Sequence, residues 1–188
     1  MAKGKQRGTK QELKLKPDHG WRAKPGHKIF VANGGAVRFD FPANWFVQPG
    51  ESGSFCFHDR QPPADDCRIE VSVMQLNPAL DWKGLPIRQL FEEAIMSERQ
   101  DETWRGEPIV VDRPDIELMW FEVHSIDPGE KREAFSRAAL ARRNDVVTFI
   151  TMDYWPEHSI RFSPVWEEVL RSLTLGVYIQ DPTKLQIH

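Results

Sequence analysis

The stretch from Glu133 to Leu175 constrains the fold more than any other. Val146-Val147-Thr148-Phe149-Ile150-Thr151 is β-branched and aromatic, which reads as a strand. The stretch before it, Glu133–Arg143, is rich in Ala, Leu, Arg and Glu, and its intrinsic propensity is helical. The Asn144-Asp145 turn between them argues for a hairpin. That hairpin sets Leu140 opposite Phe149 and Phe135 opposite Tyr154, and cross-strand pairs of this kind each contribute about 0.2–1 kcal/mol. A helix over 133–143 is the alternative. The second strand, Val146–Trp155, carries apolar residues on both faces: Val147, Phe149 and Trp155 on one, Ile150, Met152 and Tyr154 on the other. A strand apolar on both faces is covered on both sides. A helix from Pro164 to about Leu173 follows, with Ser163 as its cap and Val165, Trp166, Val169, Leu170 and Leu173 as its buried stripe.

The rest of the chain supplies elements to pack on this unit. Ile29–Ala32 and Ala36–Phe41 flank Asn33-Gly34-Gly35, a hairpin signal. Ser54–His58 is a short strand, and Arg68–Leu76 alternates as a half-buried one. Pro86 opens a helix in which Ile87, Leu90, Phe91, Ala94 and Ile95 share one face. Asp101–Gly106 reads as a loop holding Trp104. Ile116–Ser125 alternates again, with Leu118, Trp120, Glu122 and His124 on one face.

Charge divides the chain. Residues 1–28 hold nine of the 25 Lys/Arg and two of the 28 Asp/Glu, leaving 16 basic against 26 acidic residues beyond them. The chain is therefore expected to comprise a basic, flexible arm (1–27), a single domain (28–175) and a tail (176–188). Basic arms can bind nucleic acid, but solvated tails are the commoner case, and nucleic acid is not the expected partner. Met1–Lys28 has no apolar leader and no stretch is long enough for a membrane helix, which implies a cytoplasmic protein with reduced thiols.

The fold signature lies in Phe39-Asp40-Phe41-Pro42-Ala43-Asn44-Trp45, in the strand ending Val147-Thr148-Phe149-Ile150-Thr151, and in the helix ending Val169-Leu170-Arg171-Ser172-Leu173. Together these resemble the Mog1/PsbP-like superfamily, in a bacterial member. The resemblance covers about Lys28 to Leu175. It implies an α+β fold: a three-layer α/β/α sandwich with a central, mainly antiparallel sheet. Known members of that superfamily are mostly non-enzymatic, among them a Ran-binding factor, an extrinsic photosystem II subunit and bacterial envelope proteins. The resemblance therefore implies an interaction or accessory role with a protein partner and no cofactor. None of the superfamily's binding residues aligns with this chain.

Three groups of residues are candidates for function. Trp82, Trp104 and Trp155 fall in expected loops or at an element end, where Trp is enriched in binding hot spots. Glu122 and His124, two apart on one strand face, have acid/base chemistry within reach of each other. Cys56, His58 and Cys67, with Asp59, Asp65 and Asp66 between them, offer zinc-type donors and with them an enzyme reading. Their C-x-H and D-D-C spacing matches no zinc motif, although pairing of 54–58 with 67–71 would bring the two Cys close. Gly-x-Ser-x-Gly and a P-loop are both absent.

Overall fold

A computed structural model of the chain describes residues 21–77, 79, 82, 85–95, 101–180 and 186–187. Its centre is the hairpin of Glu133–Arg143 (β9) and Val146–Tyr154 (β10). Leu140 pairs with Phe149 and Phe135 with Tyr154, the register expected from the Asn144-Asp145 turn. Asn144 takes a positive φ of 54°, which Asn tolerates at a tight turn. Tertiary pairing thus overrides the helical propensity of 133–143: β9 lies between two partner strands, and Ala139 and Ala141 are fully buried.

Around the hairpin grows a sheet of eight strands among the described residues. In chain order they are Phe46–Pro49 (β3), Phe55–His58 (β4), Cys67–Gln75 (β5), Glu102–Arg105 (β6), Ile109–Val111 (β7), Glu117–Ile126 (β8), β9 and β10. The spatial order is β3-β4-β5-β10-β9-β8-β6, and β7 pairs with the same strand β8 as β6 does. A smaller sheet joins His27–Ala32 (β1), Val37–Pro42 (β2) and Thr174–Leu175 (β11). Every pairing in these two sheets is antiparallel. Between β1 and β2 the backbone passes through Gly35 at φ 108°, where a side chain would run into the carbonyl of Val177.

The two faces of the large sheet bury different clusters. On one, Phe91 of the helix Ile87–Ile95 (α1) packs with Met119, Phe121, Val123, Leu140 and Val147. On the other, the smaller sheet and the helix Ser159–Ser172 (α2) share the cover. Phe39, Phe57, Ile150, Met152, Phe162, Trp166 and Leu173 meet there. The fold is therefore sheet-dominated α+β. The strand with two apolar faces is covered twice, as expected, but one cover is largely a second sheet.

Two expectations are corrected. α2 begins a turn earlier than Pro164, after a 3₁₀ turn Pro156–His158, so Phe162 joins its buried stripe. Pro156 rather than Pro164 marks the entry, and Pro164 lies inside the helix, where it withholds one backbone donor. Asp101–Gly106 is not a loop: Trp104 lies in β6 and pairs with His124. The basic arm falls almost wholly outside the described residues.

The Ala pair gives a direct test of the packing. Replacing Ala139, which is fully buried with Trp120 and Trp166 in the same cluster, by Leu forces extra volume into a filled space. An overpacking loss of about 1–3 kcal/mol in urea unfolding is expected. A neutral Ala139→Leu would show that β9 has slack against its cover.

Candidate functional site

The sequence candidates separate into one assembled cluster and several isolated residues. Trp104, Glu122 and His124 come together at the C-terminal end of β8. The alternation of β8 turns Glu122 and His124 toward the α2 face, and antiparallel pairing sets Arg137 beside Glu122 and Phe135 beside His124. His124 is held between two rings, stacked on Phe135 at 3.7 Å between centroids and under Trp104 at 4.4 Å.

Glu122 is the hub. Its Oε2 accepts from Arg137 Nε at 2.6 Å and from the Tyr154 hydroxyl at 2.9 Å. Its Oε1 lies 3.1 Å from His124 Nε2, which must carry the proton because a carboxylate only accepts. Arg137 also donates to Ser163 Oγ at 3.0 Å and lies over the rings of Trp120 and Tyr154. Burial pushes the Glu122 carboxyl up, but hydrogen bonds from Arg137, His124 and Tyr154 outweigh it and hold the group below the usual carboxylate range. Burial raises the Tyr154 hydroxyl well above its ordinary value, and the adjacent Glu122 adds to the rise. Both carboxylate oxygens are engaged and the proton is gone. This arrangement fixes the charge and position of the Glu122 carboxylate.

Around this locked centre the surface is apolar. Trp104 is 49% exposed although it stacks on His124; Ile109 and Ile126 are exposed on the same face of the sheet, and Val110 is exposed on the opposite one. Gly106 lets the edge turn closely beneath the Trp104 indole, where a Cβ would come within 2.9 Å of the ring. The other two tryptophans lie elsewhere. Trp155 is covered by the Arg132 guanidinium at 3.6 Å, and Trp82 donates to the Asn77 carbonyl at 2.7 Å, away from the cluster.

The cysteine–histidine candidates do not converge. Cys56 pairs with Glu70 and His58 with Arg68, which places both on one face of the sheet. Cys67 belongs to the opposite face, buried with Ile69 and Phe57 in the main core, so the expected closeness of the two cysteines is corrected by the register. Both are free thiols, and burial pushes each of them up, Cys67 far more. His58 donates from Nδ1 to Asp65 at 2.8 Å and accepts at Nε2 from the Gln48 amide at 3.0 Å, so both ring nitrogens are occupied. Among the described residues no group of three His, Cys, Asp or Glu is disposed around a metal position. The nearby Asp59 accepts from the backbone N–H of Asp66 and Cys67 and pairs with Arg161 at 3.1 Å, which ties the 59–66 loop to α2.

Arg137, Tyr154 and Phe135 completed the site without having been singled out in the sequence. The hairpin register already placed Phe135 opposite Tyr154, but the β8–β9 register across the Asp127–Arg132 turn was needed to bring Glu122 to them.

The architecture is that of the PsbP-like fold. The solution structure of cyanobacterial PsbP (CyanoP) from Synechocystis superposes with a TM-score of 0.60 over 80% of this chain and 93% of that one, at 9% identity. LpqN, involved in cell envelope biogenesis of Mycobacterium tuberculosis, matches at 0.50 over 79% and 90% of the two chains, at 10% identity. Within this fold the chain belongs to the Alr1449 family, whose model matches residues 28–179. Protein alr1449 of Nostoc is 45% identical over 175 residues, 93% of this chain and 90% of that protein. No described helix is long and apolar enough to cross a membrane.

Proposed function

We propose that the chain is a non-catalytic binding domain that engages a protein partner along the β6–β7 side of the sheet, with Trp104 as its anchor. The observation carrying this reading is the pairing of a locked polar centre with an exposed aromatic rim. Glu122 has both oxygens engaged, while Trp104 remains half exposed on a rigid stack. A preorganised aromatic beside aliphatic neighbours gives a contact surface with little entropy left to lose. The partner that fits is a polypeptide segment with apolar side chains, laid along the strand that ends the sheet among the described residues. The enzyme reading around Cys56 and His58 has less support, because His58 has no free nitrogen and Cys67 faces the other way. The description of the fold as a three-layer α/β/α sandwich belongs to the same reading, with α1 as one outer layer and α2 as the other.

Replacing Trp104 by Ala separates binding from folding. Its exposed indole contributes little to the core, so melting should fall by no more than a few degrees. A photo-crosslinking residue at Ile109, exposed on the same face as Trp104, should give one discrete adduct in extract of the native cell. Trp104→Ala should abolish that adduct. An undiminished adduct, or none in the parent protein, would remove this side of the sheet as the contact surface.

A further inference from the structure

The other end of the same strands carries a different chemistry. Beneath the β9–β10 turn lies a cleft of about 300 Å³ lined by Arg113, Arg142 and Arg143, with Asp115, Glu117 and Asn144. Three guanidinium groups face two carboxylates, an excess of positive charge in a domain whose residues beyond 28 hold 16 basic against 26 acidic groups. The volume suits a small molecule.

Two of the arginines are held by a carboxylate and a backbone carbonyl together, and the third, Arg143, by a carbonyl. Arg142, only 3% exposed, donates from Nη1 to the Trp82 carbonyl at 3.0 Å and from Nε to Glu117 at 2.5 Å. Arg143 donates from Nη1 to the Leu175 carbonyl at 2.9 Å, and its Nε and Nη2 have no hydrogen-bond partner among the described residues. Arg113 is braced by Asp115 and by the Leu170 carbonyl at 2.9 Å. A carbonyl anchor fixes a long side chain without occupying all its donors, so Arg143, although within electrostatic reach of Asp115, keeps spare donors in a preset position. That is what a planar oxyanion needs from a guanidinium fork.

We propose that this cleft binds a small ligand through an oxyanion group, phosphate or carboxylate, with Arg143 as the principal donor and Arg142 and Arg113 supplying the surrounding positive field. The site is separate from the β6–β7 side of the sheet, so the two proposals stand or fall independently.

The test is titration of the full chain with inorganic phosphate, and separately with citrate, at ionic strength held constant with sodium chloride. Binding is read by calorimetry and by the arginine Nε–H resonances. Saturable shifts at Arg143 and Arg142 are expected, with Arg143→Gln weakening affinity about tenfold through the loss of a charge-assisted bond. Asn144→Asp, which sets a carboxylate in the lining at an exposed turn that Asp tolerates, should weaken binding similarly while leaving melting unchanged. It decides the matter if Arg143→Gln does not fold. A response to phosphate alone identifies a phosphate ester as the ligand class, a response to citrate alone a carboxylate, and a response to both a general oxyanion site. The proposal is overturned if neither anion gives a saturable shift. It is equally overturned if exposed arginines elsewhere shift as much, or if folded Asn144→Asp binds as tightly as the parent.

Discussion

Replacing Trp166 by Ala is expected to lower stability by about 3–5 kcal/mol, the range for removing a large buried aromatic. Trp166 is 1% exposed and projects from α2 into the cluster shared by both sheets, edge-on to Trp120 at 5.9 Å. Its removal would leave a hole that no neighbour can fill without moving a sheet. The melting temperature should drop by about 10 °C for a domain of this size. The indole nitrogen of Trp166 has no hydrogen-bond partner among the described residues, so the native state already carries a stranded donor. Trp166→Phe removes that donor together with part of the ring, and the two effects oppose each other. Its cost should stay under about 1.5 kcal/mol. Urea unfolding of both variants checks the pair. Trp166→Ala within about 1 kcal/mol of the parent would mean that the face is held by the small sheet and not by α2.

The same helix shows where sequence reasoning reached and where it stopped. The stripe through Trp166, Val169, Leu170 and Leu173 was legible because helical periodicity survives any error in the boundary. The boundary was not: Ser163-Pro164 imitates a helix start, while the operative start is Pro156, just after Trp155. The hairpin register was legible from two turn residues, because one slip would have exchanged the faces of every side chain on β9. β6 is not legible in the sequence because three of its four residues are polar and β8 alone pairs with it among the described strands. The candidate site follows the same division. Glu122 and His124 could be paired within one strand, since that needs only the period of two. Arg137 required the register between strands separated by a turn, which alternation alone leaves open. Pairing of 54–58 with 67–71 is present as expected, but its register sets Cys56 opposite Glu70 and leaves Cys67 on the other face.

Removing Arg137 should cost about 2–3 kcal/mol, in keeping with loss of a hydrogen bond between charged groups at a largely buried carboxylate. Arg137→Ala leaves Glu122 with Tyr154 and His124 as its donors and empties the space between the rings of Trp120 and Tyr154. A charge effect and a packing effect are both present, and pH separates them. The Glu122 carboxyl is held below its ordinary range, so its folded form releases the proton more readily than its unfolded form. Its stabilising contribution is therefore fully present above the unfolded value of about 4.3 and is lost as pH falls through the lower folded value. Tyr154 behaves in the opposite sense: its hydroxyl is raised, so its contribution holds below about pH 10 and is lost as pH rises further. The gap in unfolding free energy between the parent and Arg137→Ala should be widest at neutral pH and should narrow as pH drops below about 4. What remains at acid pH is the packing share. Parallel stability curves across that range would show that Arg137 acts by filling space, and Glu122 would then lose its place as the electrostatic hub beneath Trp104.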